Sequence, residues 1–187
     1  GSALLLGLLL AAPGAAPALD LGVSLSDELL ELSAAGGGTT GSSLRVGASF
    51  LQNDDSDSMF AFSAEVGNRY RVDAPGSLRY SAGARLLGLS LHAPADDFGA
   101  VAVGGSVGVA LQAATPIALM FEAYHAPSGL IGGDASDLTH LALQLESRLV
   151  PGATAYTALR RIDVRSDAYA DVRVDNSLLI GVTIHFD

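Results

Sequence analysis

Charged side chains stand at alternate positions of stretches that are otherwise apolar, and these side chains are the groups best placed to do chemistry in this sequence. Five acids and five arginines share the pattern: Asp20, Glu31, Glu65, Glu122 and Glu146 with Arg45, Arg79, Arg85, Arg148 and Arg160. A guanidinium group is planar and can donate to several carboxylates at once. If these side chains face one another, we expect either a network of ion pairs that fills an interior or a charged lining for a small polar or ionic permeant.

The elements that must position these charges are β-strands, as the last stretch of the chain illustrates. Within residues 177–186, one set of alternate positions is large and apolar: Leu178, Ile180, Val182, Ile184 and Phe186. The intervening positions are mostly small or polar: Leu179, Gly181, Thr183 and His185. Alternation with period two places the two sets on opposite faces of a strand. Small and polar side chains would fill a protein core badly, so the pattern indicates a wall with lipid outside, as in a transmembrane β-barrel.

The same alternation recurs along the chain and predicts an all-β, up-and-down antiparallel transmembrane barrel of ten strands. The first two strands, residues 19–25 and 30–34, are short for membrane strands, so a barrel of eight remains the alternative. Connections are short at Pro151–Gly152 and at residues 113–116, and long at residues 91–97, 125–137 and 163–176. Short periplasmic turns and longer extracellular loops are typical of outer-membrane barrels.

Composition limits the function further. The chain has 187 residues, the length of one domain, with 49% hydrophobic residues and a mean hydropathy of +0.39. It contains no cysteine, which excludes disulfides and thiolate metal sites, and we expect neither a metal nor a cofactor. The formal net charge is −10 and all ten basic residues are arginine, so the basic clusters that bind nucleic acid are not expected.

The first residues have the pattern of a secretory signal. A short Leu/Ala run at residues 3–12 is followed by Pro13, Pro17 and a small-x-small triplet that ends at Ala18. We therefore predict a signal peptide over residues 1–18 and an outer-membrane barrel domain over residues 19–187. A membrane-anchor helix is the alternative, but the run is short and two prolines interrupt it.

Acidic residues concentrate in the predicted outer loops. They are Asp27, Glu28, Asp54, Asp55, Asp57, Asp96, Asp97, Asp134, Asp137, Asp167, Asp171 and Asp175. Such loops could bridge to lipopolysaccharide phosphates through calcium or magnesium, which prefer oxygen ligands. No spacing resembles an EF-hand, so these residues are predicted to keep exposed loops soluble.

His125 and Ser128 form the pair best suited to nucleophilic chemistry, since a serine nucleophile needs a base within hydrogen-bond reach. Both follow a predicted strand that carries Glu122. The spacing differs from the His-x-Ser-Asn pattern of lipid A deacylases, and Pro127 restricts the approach of the two side chains. The sequence therefore favours a loop-capping histidine, with acyl transfer at the outer rim as the alternative.

Three segments resemble the YfaZ family of bacterial outer-membrane proteins. They are Ala123-Tyr124-His125-Ala126-Pro127-Ser128, Tyr156-Thr157-Ala158-Leu159-Arg160-Arg161-Ile162 and Leu179-Ile180-Gly181-Val182-Thr183-Ile184-His185-Phe186. The resemblance runs loosely over residues 19–186 and is sharpest in the last third. Ala158-Leu159 stands where the family tends to have Gly-Tyr, and Asp187 follows the terminal phenylalanine. The resemblance implies a fold and a location but no catalytic residue.

Taken together, these patterns predict a protein of the outer membrane of a Gram-negative bacterium. We expect it to be structural or a narrow, porin-like channel with a charged lumen, and a lipid-modifying enzyme is the alternative. The expected partners are outer-membrane lipid, lipopolysaccharide and the barrel-assembly machinery, which would recognise the last strand ending at Phe186.

Overall fold

The computed structural model describes residues 18–37, 43–54, 56–67, 78–92, 96–111, 117–167 and 170–186. Within these residues the chain forms ten β-strands: β1 Ala18–Leu25, β2 Leu29–Gly37, β3 Ser43–Asn53, β4 Ser58–Gly67, β5 Leu78–Leu91, β6 Asp96–Leu111, β7 Ile117–Pro127, β8 Ala135–Val150, β9 Ala153–Ser166 and β10 Val172–Phe186. One short 3₁₀ helix, Ser128–Leu130, follows β7. The predicted signal peptide lies outside the described residues apart from Ala18, so it stays a prediction. The predicted turn at residues 113–116 and Asp187 also lie outside them.

The strands close into an up-and-down antiparallel barrel. Each strand pairs with its neighbours in sequence, and β1 pairs with β10 from Leu19 opposite Phe186 to Leu25 opposite Ile180. The ten-strand prediction is confirmed. The two short strands belong to the wall because their alternation continues that of their neighbours, with Ala18 to Leu25 in register with Gly37 to Leu30.

Large apolar side chains cover the outside of the wall. Leu78 and Leu86 on β5 and Ile180 on β10 are each more than half exposed, whereas the residues between them on the same strands are mostly buried or half-buried. The outward apolar stretch from Leu78 to Leu86 is close to the roughly 9 to 11 residues that a membrane-crossing strand needs. The described residues include no helix of the length and apolar character needed to cross a membrane.

At one end of the barrel the polarity of the two faces reverses. After Leu86, strand β5 turns Leu87, Leu89 and Leu91 inward, where they are buried, and exposes Gly88 and Ser90. Strand β9 does the same, with Ile162 and Val164 inward and Arg161, Asp163 and Arg165 outward. Apolar-in and polar-out alternation is that of a sheet exposed to water, so the strands continue beyond the lipid-facing belt.

This extension corrects the predicted loops. Residues 91–97, 125–137 and 163–176 contain far more strand than expected, because β6 begins at Asp96, β8 at Ala135 and β10 at Val172, while β9 ends only at Ser166. In these segments the polar residues point outward and the apolar residues between them point inward, the reverse of the lipid-facing belt. Such a strand can be mistaken for a polar loop in the sequence.

The inward apolar residues of this end fill the lumen. Leu51, Leu138, Ile162 and Val164 are completely buried within one hydrophobic cluster that takes residues from strands around the barrel. We call this set the apolar plug: Leu29, Leu51, Met59, Ala61, Leu87, Leu89, Leu91, Phe98, Ala100, Ala102, Tyr124, Ala126, Ala135, Leu138, Ala158, Ile162, Val164, Val174 and Leu179. The alternation of charged residues predicts a charged lumen, and it does not predict this apolar cluster.

Hydrogen bonds of polar side chains join the strand connections at the plug end of the barrel. The side-chain amide of Asn53 donates to the backbone oxygen of Val174 at 3.3 Å, and the backbone amide of His92 donates to Asp57 at 2.7 Å. Asp57 is therefore buried, and the prediction that it is an exposed loop acid is wrong. Its short side chain anchors the β3–β4 hairpin against the β5–β6 connection.

Glycine permits close contact between neighbouring strands in the wall. Gly83 on β5 lies opposite Gly104 on β6, and a Cβ atom would overlap the carbonyl oxygen of Ala64 at the first position and that of Ala123 at the second. The same holds at Gly108 on β6, where a Cβ atom would overlap the backbone carbonyl oxygen of Leu119.

Candidate functional site: a charged cavity inside the barrel

The half of the lumen below the plug holds a cavity of about 590 Å³. It extends from the Pro151–Gly152 turn, where it opens, to plug residues such as Met59, Leu87 and Leu179. The ten charged residues singled out in the sequence all line it: Asp20, Glu31, Arg45, Glu65, Arg79, Arg85, Glu122, Glu146, Arg148 and Arg160. The barrel thus has two different halves, one apolar and filled and the other charged and hollow.

Arg85 on β5 lies at the centre of the largest polar group. Its guanidinium is 3.3 Å from the carboxylate of Glu65 and 3.0 Å from that of Glu122, and it lies 3.8 Å above the centre of the Tyr124 ring. It also contacts Nδ1 of His140 at 3.1 Å. One cation is therefore held by two acids and an aromatic face, an arrangement that suits the planar arginine fork.

Two hydroxyl groups complete the surroundings of Glu65. Ser81 donates to the carboxylate at 2.9 Å and lies 2.8 Å from the hydroxyl of Ser106. Both serines are buried. Such satisfied polar contacts make a buried charge tolerable, because an unpaired charge in a dry interior is costly.

Arg79 and Glu146 form a separate pair across the lumen. Arg79 is 3% exposed and donates to Glu146, whose other oxygen accepts a 3.0 Å hydrogen bond from the side-chain amide of Gln144. The two partners come from β5 and β8, so the pair joins strands that are three positions apart in the wall.

Arg160 donates to two acids, Glu31 on β2 and Asp175 on β10. The prediction that Asp175 lies in an exposed loop is wrong, because its side chain is buried. A register shift between Arg173 and Asp175 explains the position, since the bulge leaves both Val174 and Asp175 buried. A bulge breaks the period-two pattern and so hides such a residue from sequence analysis.

Asp20 and Arg45 pair near the open end of the cavity. Nδ1 of His185 lies 2.7 Å from the Asp20 carboxylate, and its Nε2 lies 2.9 Å from the hydroxyl of Thr154. The imidazole therefore lies between a carboxylate and a hydroxyl group, and both of its ring nitrogens have a hydrogen-bonding partner. The inward position of His185 was visible in the alternation of the last strand, but its role was not.

Arg148 differs from the other arginines of the cavity. It is exposed at the rim and forms no ion pair among the residues that the structure describes. The cavity therefore contains four arginines held by carboxylates and one that faces solvent.

His125 and Ser128 lie apart from this cavity. His125 is half exposed, with Nδ1 at 3.4 Å from the Thr139 hydroxyl and Nε2 at 3.7 Å from the Asp137 carboxylate. Ser128 begins the 3₁₀ helix, and no hydrogen bond joins it to His125 within the described part of the chain. Acyl transfer by this pair stays a prediction.

No group of three or more His, Asp or Glu side chains in the described ranges is arranged to hold a metal ion. The acids of the cavity are instead within hydrogen-bond or ion-pair distance of arginine, histidine, serine or glutamine. The geometry supports mutual pairing across the lumen.

Comparison with known families gives a match over nearly the whole chain. The family model described as "YfaZ precursor" matches residues 2–186. The chain belongs to the YfaZ family. The resemblance inferred from the three segments of the sequence is thereby confirmed.

Among solved structures, this chain is similar to one titled "Bacterial polysaccharide outer membrane secretin", with 13% identity and a TM-score of 0.45. The alignment covers 85% of this chain and 57% of that one, so the chain spans little more than half of that protein's length. No curated protein sequence matches the chain.

The closed wall, its outward belt of large apolar residues and the inward position of the paired charges together define a membrane-embedded β-barrel. Lipid is the environment that this outer surface fits, because a closed barrel leaves no strand edge unpaired in hydrocarbon.

Proposed function

We propose that this YfaZ-family protein is a structural barrel of the outer membrane whose lumen is closed to solutes. The apolar plug carries the proposal. Its side chains fill the lumen at one end, and the charged cavity ends against them. Ions cross a barrel through a continuous polar path, and packed Leu, Ile and Val side chains do not offer one.

The cavity itself supports a structural role. Arg79, Arg85 and Arg160 are each bound to carboxylates on other strands, so the charges connect the wall from within. A charged lining for a permeant would instead leave its groups free to contact the solute. The narrow channel considered from the sequence is therefore the weaker alternative.

The orientation that we propose places the plug at the outer surface. The cavity opens beside the two-residue turn Pro151–Gly152, and short turns face the periplasm in outer-membrane barrels. Lipid and lipopolysaccharide would surround the wall. The assembly machinery would recognise β10, which ends at Phe186 and closes the barrel by pairing with β1.

Ion conductance in planar bilayers tests the closed lumen. We expect no current steps from the wild-type barrel and a gain of current when Leu51→Ser and Leu138→Ser thin the plug from two sides. The control carries the same change on outward leucines, Leu119→Ser with Leu145→Ser, and should stay closed. Folding of every variant is checked by the mobility of unheated samples on gels.

Steady current through the wild-type barrel would reject the closed lumen. If that current also reversed its ion selectivity after Arg85→Glu with Arg148→Glu, a narrow channel would be the better account.

A further inference from the structure

The arginines on the outside of the wall lie together. Five of the described arginines line the cavity, and the other three project outward from two neighbouring strands, Arg161 and Arg165 from β9 and Arg173 from β10. Each of these three is more than half exposed. Because the chain has a net charge of −10, a cluster of arginines on one side of the barrel indicates a specific role for this surface.

The register of the strands places this cluster at the edge of the apolar belt. Leu143, Leu159 and Leu178 lie side by side on β8, β9 and β10. The next outward row toward the plug end is Leu141, Arg161 and Asn176, and the row after that is Thr139, Asp163 and Arg173. The wall thus changes from apolar to polar over two row steps, about 13 Å along a strand. Such a change in polarity is expected where lipid headgroups meet hydrocarbon, and Arg161 lies in its first polar row.

The two arginines nearest this boundary have more positive charge than their partner neutralises. Arg161 and Arg173 both bind Asp163, the second at 3.2 Å, so two guanidinium groups share one carboxylate. Asp137 lies one row further from the apolar belt, opposite Arg165, and accepts a hydrogen bond from Thr139. Asp171 is 4.0 Å from Arg165. Arg161 and Arg173 each contact Asp163 through Nε, and within the described residues their remaining N–H groups can donate to an anion at the boundary.

A groove runs along the outer wall directly below Arg161. Its volume is about 380 Å³, and its sides are formed by Phe121, Leu141, Leu143, Leu159 and Leu178, with Arg161 and Asn176 at the polar end. The groove is apolar along its sides and cationic at one end, which matches the polarity of an acyl chain that carries a phosphate.

We propose that this groove is a binding site for an anionic lipid, with an acyl chain in the groove and the phosphate on Arg161 and Arg173. A phosphate accepts hydrogen bonds from two guanidinium forks, and charge-assisted bonds of this kind are short and strong. Asn176, opposite Arg161 on β10, adds a side-chain amide donor at the same level. The proposal rests on the membrane-embedded barrel but not on the closed lumen, so the conductance test and the lipid test fail independently.

Native mass spectrometry of the folded barrel, released from detergent micelles, tests the site. The probes are phosphatidylglycerol and a diacylglycerol with the same acyl chains, which lacks the phosphate. We expect the wild type to retain phosphatidylglycerol about tenfold more than diacylglycerol. R161Q with R173Q should remove this preference, whereas R148Q, which deletes an arginine at the other end of the barrel, should keep it.

Two further arms separate the parts of the site. Leu159→Trp fills the groove and should reduce retention of both lipids, and excess inorganic phosphate should not displace phosphatidylglycerol. Equal retention of the two lipids by the wild type would overturn the proposal, as would an unchanged preference in the double variant or displacement by inorganic phosphate. Should the double variant fail to fold, R173Q alone and the wild-type preference decide the question.

Discussion

At the scale of single residues, the arginines inside the barrel are not equivalent. Arg79 is almost completely buried and bound to Glu146, whereas Arg148 is exposed at the rim without an ion pair among the described residues. Removing one partner of a buried pair leaves the other charge without compensation, which costs far more than removing both. A charge in contact with water is screened, and its loss changes little.

A double-mutant cycle on Arg79 and Glu146 measures this difference. We expect Arg79→Met and Glu146→Gln each to lower the free energy of unfolding by about 3 kcal/mol, because each leaves a buried group unpaired. The double variant should lose at least about 1 kcal/mol less than the sum of the two. Urea unfolding in lipid vesicles provides the measurement.

Arg148→Met is the matched control for this cycle. Its effect should stay within about 0.5 kcal/mol and should add to that of Glu146→Gln. If Arg148→Met cost as much as Arg79→Met and all couplings were near zero, the lumen would behave as a water-filled pore, and the paired network would not stabilise the barrel.

At the scale of strands, the sequence predicts which face of a strand points to lipid, but it does not predict where the strands end. Alternation on β5 from Leu78 to Leu86 identified the lipid-facing side correctly, because the physical pattern is the same over the whole crossing. From Leu87 onward the alternation continues with the opposite polarity. The sequence does not show where the bilayer ends. Beyond that point a strand with apolar residues inward has a composition similar to that of a polar loop, and the plug was therefore not predicted.

Glycines in the wall give a second property of the strands that can be tested. Gly83→Ala should destabilise the barrel by about 1 to 3 kcal/mol, since the added methyl group overlaps the carbonyl oxygen of Ala64 and the strands must move apart. Gly88, on the same strand, has no atom within 4 Å of the position that a Cβ would take.

Gly88→Ala is therefore the control, and we expect it to be neutral or slightly stabilising because alanine restricts the unfolded chain. The midpoint of urea unfolding and the folded fraction on unheated gels report both variants. Equal effects of the two substitutions would show that close contact of β4 and β5 at Gly83 does not limit the wall.

At the scale of the whole molecule, the barrel is asymmetric along its axis. All ten charged residues chosen from the alternation line one cavity, because the face of a strand follows from its period. Their depth and pairing did not follow, since these depend on strand register and on the bulge that buries Asp175. His140 and His185 share the inward face with the acids, and only the three-dimensional register shows that they contact Arg85 and Asp20.

This asymmetry makes the orientation in the membrane testable, because the chain has no cysteine and a single introduced thiol reports its own surroundings. Thr183 lines the cavity at its open end, and Asp171 is exposed beyond the opposite end of the apolar belt.

A maleimide coupled to a large polyethylene glycol does not cross the outer membrane. On intact cells we expect it to modify Asp171→Cys and to leave Thr183→Cys unmodified. After the outer membrane is made permeable, a small charged maleimide should modify Thr183→Cys through the open cavity, and prior treatment of intact cells with the large reagent should not prevent this. The reverse pattern, with Thr183→Cys modified on intact cells and Asp171→Cys protected, would place the plug at the periplasmic surface and reject the proposed orientation.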